Sequence, residues 1–192
     1  MIAVNVNLMV EKANDLLHEA NVLSYELWLK TVVFTWRWWI LIFLAIGSWL
    51  VWIIWRNKKL THRLLYAGLF VSIAAFYMDT IGMALGLWSY PIKDIPLISS
   101  YVAWDFCVIP VTTMFILQYK PNTNPLIKAV TLAIVGAFIV QPMATWIGYY
   151  HLKHWQYSYS FLLINIIYLF GFFFYNGRTW KTSSSIIGYK KI

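Results

Sequence analysis

The sequence predicts an all-helical membrane protein, a bundle of five transmembrane helices preceded by an amphipathic helix. Hydrophobic residues make up 61% of the 192 residues and charged residues only 11%, whereas a soluble domain is about half apolar and about one quarter charged. The apolar residues fall into five continuous stretches of the length that a bilayer requires, roughly 17–25 residues. These stretches lack the apolar-polar alternation of a membrane β-barrel.

The N-terminal segment, 1–30, is predicted to be an amphipathic helix on the outer side of the membrane. Its apolar residues recur at alternating spacings of four and three, which places them on one face of a helix. The segment is too polar to cross a bilayer, so we expect it to lie on the membrane surface or to cap the bundle. Pairing of this helix with a second copy, giving a homo-oligomer, is the alternative. The stripe consists of Met9, Ala13, Leu16, Ala20, Leu23 and Leu27.

The membrane domain is predicted to cover 31–176, with a basic cytoplasmic tail at 177–192. Each of its five apolar stretches is bracketed by charged or aromatic residues, as membrane spans commonly are. The predicted spans are 38–55, 64–88, 101–119, 126–149 and 159–175.

The orientation follows from the basic residues. Ten of the fifteen lysines and arginines fall in the loops after the first and third spans and in the tail, on one side of the membrane. The acidic residues outside the spans all fall on the other side. The positive-inside rule places the ten-base side in the cytoplasm and the N-terminus outside, as in a multi-pass protein of a bacterial plasma membrane. Topology therefore explains the net charge of +8, and we expect no nucleic-acid partner.

Two carboxyl groups, Asp79 and Asp105, lie inside predicted spans. A charged side chain at the bilayer centre costs about 2.5–3.5 kcal/mol even on insertion scales, so both should face the bundle interior. Gln141 and Asn165 lie at similar depths in the fourth and fifth spans, which predicts one polar cluster in the outer half of the membrane. The two acids are candidate catalytic residues; the alternative is that they hold helices together through hydrogen bonds.

Aromatic residues near these polar positions are candidates for binding a substrate. Most of the twelve tryptophans are expected in belts at the membrane surfaces. An aromatic wall beside an acid, however, is suited to a developing positive charge, because ring faces attract cations. The predicted substrate-binding residues are Tyr77, Trp88, Trp104, Gln141, Trp146 and Asn165.

The region after Asp79 carries two further predictions. Gly82 and Gly86 are spaced to let a neighbouring helix approach closely. The connection 89–100 contains Pro91 and Pro96, which restrict its conformations, so we expect an ordered cap on the outer face.

Motifs for cofactors are absent from the sequence. It contains no P-loop, no glycine-rich dinucleotide loop and no complete set of metal ligands. We therefore expect no cofactor and no metal, and the expected partners are the membrane and a lipid or lipophilic small molecule.

Three runs resemble a family of small multi-span membrane proteins from spore-forming Gram-positive bacteria, to which no activity is assigned. The resemblance covers roughly 35–175 and implies that Asp79, the Trp-Tyr-Pro after it (Trp88, Tyr90 and Pro91), Asp105 and Pro110 belong to shared motifs. The family has Glu-Pro where this chain has Gln141–Pro142, so one intramembrane acid is missing here. The runs are DTIGMALGLWSYP (79–91), YVAWDFCVIPVTTMFILQYKP (101–121) and AFIVQPMATWIGYYHLKHWQYSYSF (137–161).

A fainter similarity links the Asp79 region to membrane-embedded lycopene cyclases, carotenoid hydratases and transmembrane terpene cyclases. It implies a lipophilic, isoprenoid-like substrate that is bound, protonated or cyclised, with Asp79 or Asp105 as the general acid. The alternative is a non-enzymatic membrane protein: a structural subunit, a sensor or a proton-coupled carrier.

Overall fold

The computed structural model describes residues 2–177, and within them the chain forms six helices and one short pair of strands. The strands, β1 (Trp88–Ser89) and β2 (His151–Leu152), pair in antiparallel fashion. The predicted basic tail lies outside the described residues, apart from Gly177. The helices are α1 (Ile2–Thr31), α2 (Trp36–Trp55), α3 (Thr61–Ala84), α4 (Ala103–Gln118), α5 (Pro125–Ile147) and α6 (Tyr157–Tyr175).

Four helices are long and apolar enough to cross a membrane, which is compatible with an integral membrane protein. They are α2, α3 with the turn that precedes it, α5 and α6. Helix α4 matches the third predicted span but is shorter: its length is about 24 Å at ~1.5 Å per residue, against a hydrocarbon core of about 30 Å. It is short because the preceding segment enters the bundle, so that α4 begins beside Asp79 rather than at the end of α3.

The helices form a curved row. Helix α3 packs on α4 and α6, α4 also packs on α2, and α6 packs on α5. Helices α2 and α5 thus lie at the two ends of the row. Near one end of the bundle the Tyr149 hydroxyl, just after α5, donates to the Arg37 carbonyl oxygen of α2 at 3.0 Å. Residues of all five helices, α2 to α6, line a cavity in the bundle.

Two prolines set the local shape of α4 and α5. A proline has no N–H and its ring crowds the carbonyl four residues earlier, and a wider π-helical turn relieves both problems. Such turns precede Pro110, at Ala103–Val108, and Pro142, at Gly136–Val140. Pro110 has no N–H group to donate to the Phe106 carbonyl. This carbonyl accepts a hydrogen bond from the Trp49 indole instead, at 3.2 Å.

The connection 89–100 is tied to three helices, as expected for an ordered cap. The indole N–H groups of Trp28 and Trp38 donate to the carbonyl oxygens of Lys93 and Asp94, at 2.9 and 3.3 Å. The Asp94 side chain accepts from the Ala103 amide at 2.5 Å. These bonds fix the cap against the ends of α1, α2 and α4. We call the end of the bundle that the cap covers the site end.

Helix α1 does not cap the bundle. Its described side chains are exposed up to Leu27, including Leu16 (58% exposed) and Leu23 (59%) of the predicted stripe. Contact with the cap begins at Trp28, and Val32, just after the helix, is buried. The amphipathic pattern is therefore present, but its apolar face is unpartnered in the single chain.

Gly82 has a different role from the predicted one. A Cβ atom there would lie 2.0 Å from the ring of Trp88, so the glycine makes room for this indole and not for a neighbouring helix. Gly86 follows the end of α3 and adopts φ +68°, a conformation that glycine takes without strain. Together the two glycines let the chain reverse and lay Trp88 over α3.

Candidate functional site

Asp79 is the centre of a buried hydrogen-bond network. Its Oδ1 accepts from Trp88 Nε1 at 2.7 Å and from the Tyr90 hydroxyl at 2.6 Å. Its Oδ2 accepts from the backbone N–H of Tyr101 at 2.8 Å. The residue is 6% exposed. The reversal after α3 explains this arrangement, because it folds Trp88 and Tyr90 back onto the helix that carries Asp79.

Asp105 lies beside Asp79 but has fewer partners. The Ser100 hydroxyl donates to its Oδ2 at 2.5 Å, and the two carboxyl groups contact each other through a side-chain hydrogen bond. Both carboxyl groups are buried and border the same cavity. The predicted proximity of the two acids is thus present in the structure.

The N-terminus of α4 is held by carboxylates from outside the helix. The first amides of a helix have no partner within it, and the helix dipole favours negative charge there. Asp94 accepts a hydrogen bond from the amide of Ala103, the first residue of α4. Asp79 accepts one from the amide of Tyr101, two residues before the helix. Burial raises the pKa of Asp94, and hydrogen bonds from the Ala103 and Ile95 amides oppose this rise.

Tyrosine rings cover the carboxyl pair. Tyr90 stacks on Tyr101 with ring centroids 4.5 Å apart and is tilted against Tyr150 at 5.6 Å. Trp88 meets Trp155 edge to face at 4.9 Å. Burial, together with the nearby Asp79 carboxyl, raises the pKa of Tyr90, so its hydroxyl stays protonated as a donor.

A cavity of about 320 Å³ extends from this network into the bundle. Asp79 and Asp105 lie on its wall, and most of the remaining wall is aliphatic or aromatic. Among the described residues, no lysine, arginine or histidine side chain lines it. The cavity is thus apolar along its length and acidic at the site end.

Three buried polar atoms on the cavity wall have no hydrogen-bond partner within residues 2–177. They are the hydroxyls of Tyr101 and Tyr168 and the Oε1 of Gln141. Tyr101 is 5% exposed and Tyr168 is fully buried. An unpaired buried polar group costs about 1–3 kcal/mol, so these atoms favour a bound molecule that can supply the missing bonds.

The structure brings together some of the predicted site residues and separates others. Asp79, Asp105, Trp88, Trp104 and Gln141 line the cavity. The other three lie elsewhere: Tyr77 (59% exposed) and Trp146 (87%) face outward, and Asn165 donates to the Phe161 carbonyl of its own helix at 2.8 Å.

Helix geometry explains these displacements. Tyr77 precedes Asp79 by two residues, which is about 200° around a helix, so the two side chains point to opposite faces. The prediction was based on the depth of each residue in the membrane. Depth does not determine how a helix is rotated about its axis, and so it does not determine where a side chain points.

Several residues of the network were not predicted from the sequence. The resemblance pointed to Tyr90, in the Trp-Tyr-Pro that follows Asp79; for the others the signal was position, since most of them lie in the cap or beside it, where the chain was expected to be ordered. Tyr90 and Ser100 bond to the two acids through their side chains, and the other four reach the network or the cavity through the fold. They are Tyr90, Asp94, Ser100, Tyr101, Tyr150 and Tyr168.

The described residues, 2–177, contain no group of three or more histidine, cysteine, aspartate or glutamate side chains arranged to hold a metal ion. No protein-family model, curated protein or solved structure matches this chain.

Proposed function

We propose that this membrane protein binds a lipophilic, isoprenoid-like molecule in the cavity and that Asp105 donates a proton to it. The observation that carries the proposal is the combination of an apolar cavity, a carboxyl pair at its end and unpaired hydroxyls on its wall. Small-molecule sites are commonly concave and apolar with a few convergent polar groups, in cavities of about 300–1,000 Å³.

The two acids have different roles in this proposal. Asp79 accepts three hydrogen bonds from Trp88, Tyr90 and Tyr101, so it serves as a positioning residue that joins the cap to α3. Asp105 accepts from Ser100, contacts Asp79 and lines the cavity. In this proposal the pair holds one proton, because two buried carboxylates repel each other, and Asp105 presents that proton to the bound molecule, as a general acid requires.

The aromatic lining supports the same chemistry. Protonation of a carbon-carbon double bond creates a carbocation, and Trp104, Tyr90 and Tyr101 line the cavity in which it would form. Ring faces attract positive charge. The cavity would thus lower the energy of the cation and exclude water from it.

The number of membrane-spanning helices and their orientation are also part of the proposal. We place five helices in the membrane, with α4 as the short one, the N-terminus outside and the C-terminus in the cytoplasm of a bacterial cell. The site end then faces outward. This arrangement accords with the resemblance to the bacterial membrane family, which we retain as a proposed kinship.

A non-enzymatic role is the second candidate, favoured by the three donors that surround Asp79. A carboxylate whose oxygens are occupied suits a structural lock. A sensor or a structural subunit would need this structural lock but no proton transfer from Asp105, whereas a proton-coupled carrier would use the two acids as its proton site.

Mass spectrometry of lipids that co-purify with the protein tests the proposal. The wild type should enrich one polyisoprenoid above its level in the host membrane. Asp105→Asn should retain a substrate that differs in mass or unsaturation from the lipid on the wild type, because protonation is blocked. Tyr77→Phe, which alters an exposed tyrosine of the same helix as Asp79, is the control. An extract identical to bulk membrane lipid would contradict binding; identical extracts from wild type and Asp105→Asn would contradict proton donation alone.

A further inference from the structure

We propose that the cavity selects its ligand by charge and takes a lipophilic molecule with a cationic head, such as a protonated amine. This inference rests on the proposed function, since it specifies the ligand class of the same cavity.

The charges around the cavity are the first argument. Asp79 and Asp105 lie on its wall, and the described lining includes no basic side chain; Lys93, which interacts electrostatically with Asp79, lies in the cap and donates to the Ile98 carbonyl. A carboxylate or phosphate head in the cavity would lie against the two acids, which is unfavourable in an environment of low dielectric constant. A cationic head would instead be attracted by the negative charge that the carboxyl pair keeps while it holds one proton.

The unpaired atoms are the second argument. Gln141 Oε1 can only accept a hydrogen bond, and a tyrosine hydroxyl can accept one as well. Gln141 and Asp79 lie roughly 9 and 8 Å before the ends of α5 and α3 at ~1.5 Å per residue, so both are at the site end. Tyr101 lines the same cavity, and its ring stacks on Tyr90, which bonds to Asp79. An ammonium group carries three donors and no acceptor, which suits Gln141, Tyr101 and Asp105 together.

The ring stack is the third argument. Tyr90 and Tyr101 are stacked, Tyr150 is tilted against Tyr90, and all three rings line the cavity. Aromatic faces around a carboxyl group are a common setting for ammonium ions. An alcohol head would satisfy Gln141 but would gain little from either the rings or the carboxyl pair.

Three probes with one hydrocarbon chain separate the alternatives: geranylamine, geraniol and geranic acid. Binding to the full-length protein in nanodiscs of zwitterionic lipid is measured by equilibrium dialysis at neutral pH, with empty nanodiscs subtracted. We expect geranylamine to bind about tenfold more tightly than geraniol, a difference of about 1.4 kcal/mol. Geranic acid should show no binding above the empty nanodiscs.

Variants assign the selectivity to the carboxyl pair. Asp105→Asn should bring the affinity for geranylamine down to that for geraniol while leaving geraniol binding in place, which also shows that the variant is folded. Glu19→Gln, at an exposed acid of α1, should leave the preference unchanged. Equal or tighter binding of geraniol or geranic acid by the wild type would overturn the charge selectivity but not the proposed function. Failure of all three probes to bind would overturn both.

Discussion

The two ends of the bundle are stabilised by the same physics with opposite charges. At the end away from the cap, the basic end, Arg63 donates from Nε and Nη2 to the Tyr175 carbonyl at 3.1 and 2.8 Å. Lys128 likewise donates to the Ile116 carbonyl at 2.8 Å. At the site end, Asp94 accepts from the amide of Ala103, the first residue of α4, and Asp79 accepts from the amide of Tyr101, two residues before it. Cations suit the C-terminal carbonyls of helices, and anions suit the N-terminal amides.

The ends differ in what the charged groups face. At the basic end, Arg63 and Lys128 border a cavity of about 370 Å³ whose wall is mainly polar, and Gln118 joins the Trp55 carbonyl and the Asn57 amide at 3.2 and 3.0 Å. At the site end, Asp79 and Asp105 also line a cavity whose wall is mainly apolar. The site end is the candidate site because carboxyl groups that hold the cap and the start of α4 in place also border an apolar cavity.

The largest expected effect concerns which end faces the cytoplasm. A fluorescent protein that folds only in the cytoplasm, fused after Ile192, should be bright, because the basic loops and tail place the basic end inside. The same reporter fused before the N-terminus should be dark. A dark C-terminal fusion of a folded protein would reverse the orientation of both ends.

Removing the acceptor at the site end should cost the most stability. Asp79→Leu leaves the donors of Trp88, Tyr90 and Tyr101 without a partner, each at about 1–3 kcal/mol. Thermal unfolding in detergent should show a large fall in the midpoint temperature. The midpoint temperature of Asp79→Asn should fall less, because its amide oxygen still accepts from Trp88 and Tyr90. Some loss remains, since the NH₂ group of the asparagine faces the N–H of Tyr101 and both are donors. If both variants unfolded at the midpoint temperature of the wild type, the structural role of Asp79 in joining the cap to α3 would be contradicted.

The basic end should be less sensitive. Arg63→Ala removes a cation from the C-terminus of α6, which we expect to cost about 1–2 kcal/mol, the upper part of the range for charges at helix ends. Lipid recovery should stay at the wild-type level, since Arg63 is far from the cavity. Lys59→Ala, at an exposed lysine nearby, is the matched control. Loss of bound lipid in Arg63→Ala would remove the functional contrast between the ends.

The smallest expected effect is a pH dependence at Asp94. Burial raises the pKa of Asp94 above its ordinary value of 3.8, so the folded state binds this proton more tightly than the unfolded state. The stability that the group contributes is present below pH 3.8 and is lost as the pH rises through the folded-state pKa.

Asp94→Asn removes this titration and still offers one acceptor. From about pH 4 upward, the midpoint temperature of the wild type should therefore decline relative to that of the variant. Asp79 and Asp105 titrate in both proteins and cancel in the difference. Parallel curves would show that Asp94 has the same pKa in the folded and unfolded states.

Part of the candidate site was predictable from the sequence. Asp79 and Asp105 are the two acids inside apolar stretches, and the cost of burying a charge predicts that they face inward. The short connection between their helices predicts that they are neighbours. Tyr101 could not be identified in this way, because its amide reaches Asp79 through the path of the cap. Tyr77 and Trp146 show the same limit, since their depth was considered and their direction was not.

The sequence by itself determined the helical class, the positions of the apolar helices and the presence of two acids among them, because hydrophobicity and charge act locally along the chain. The tertiary structure decided which groups surround the acids. The reversal at Gly82 and Gly86 lays Trp88 over α3, and the cap starts α4 beside Asp79. The rotation of each helix then determines which side chains reach the cavity. These contacts depend on packing between helices, to which every residue in the interface contributes.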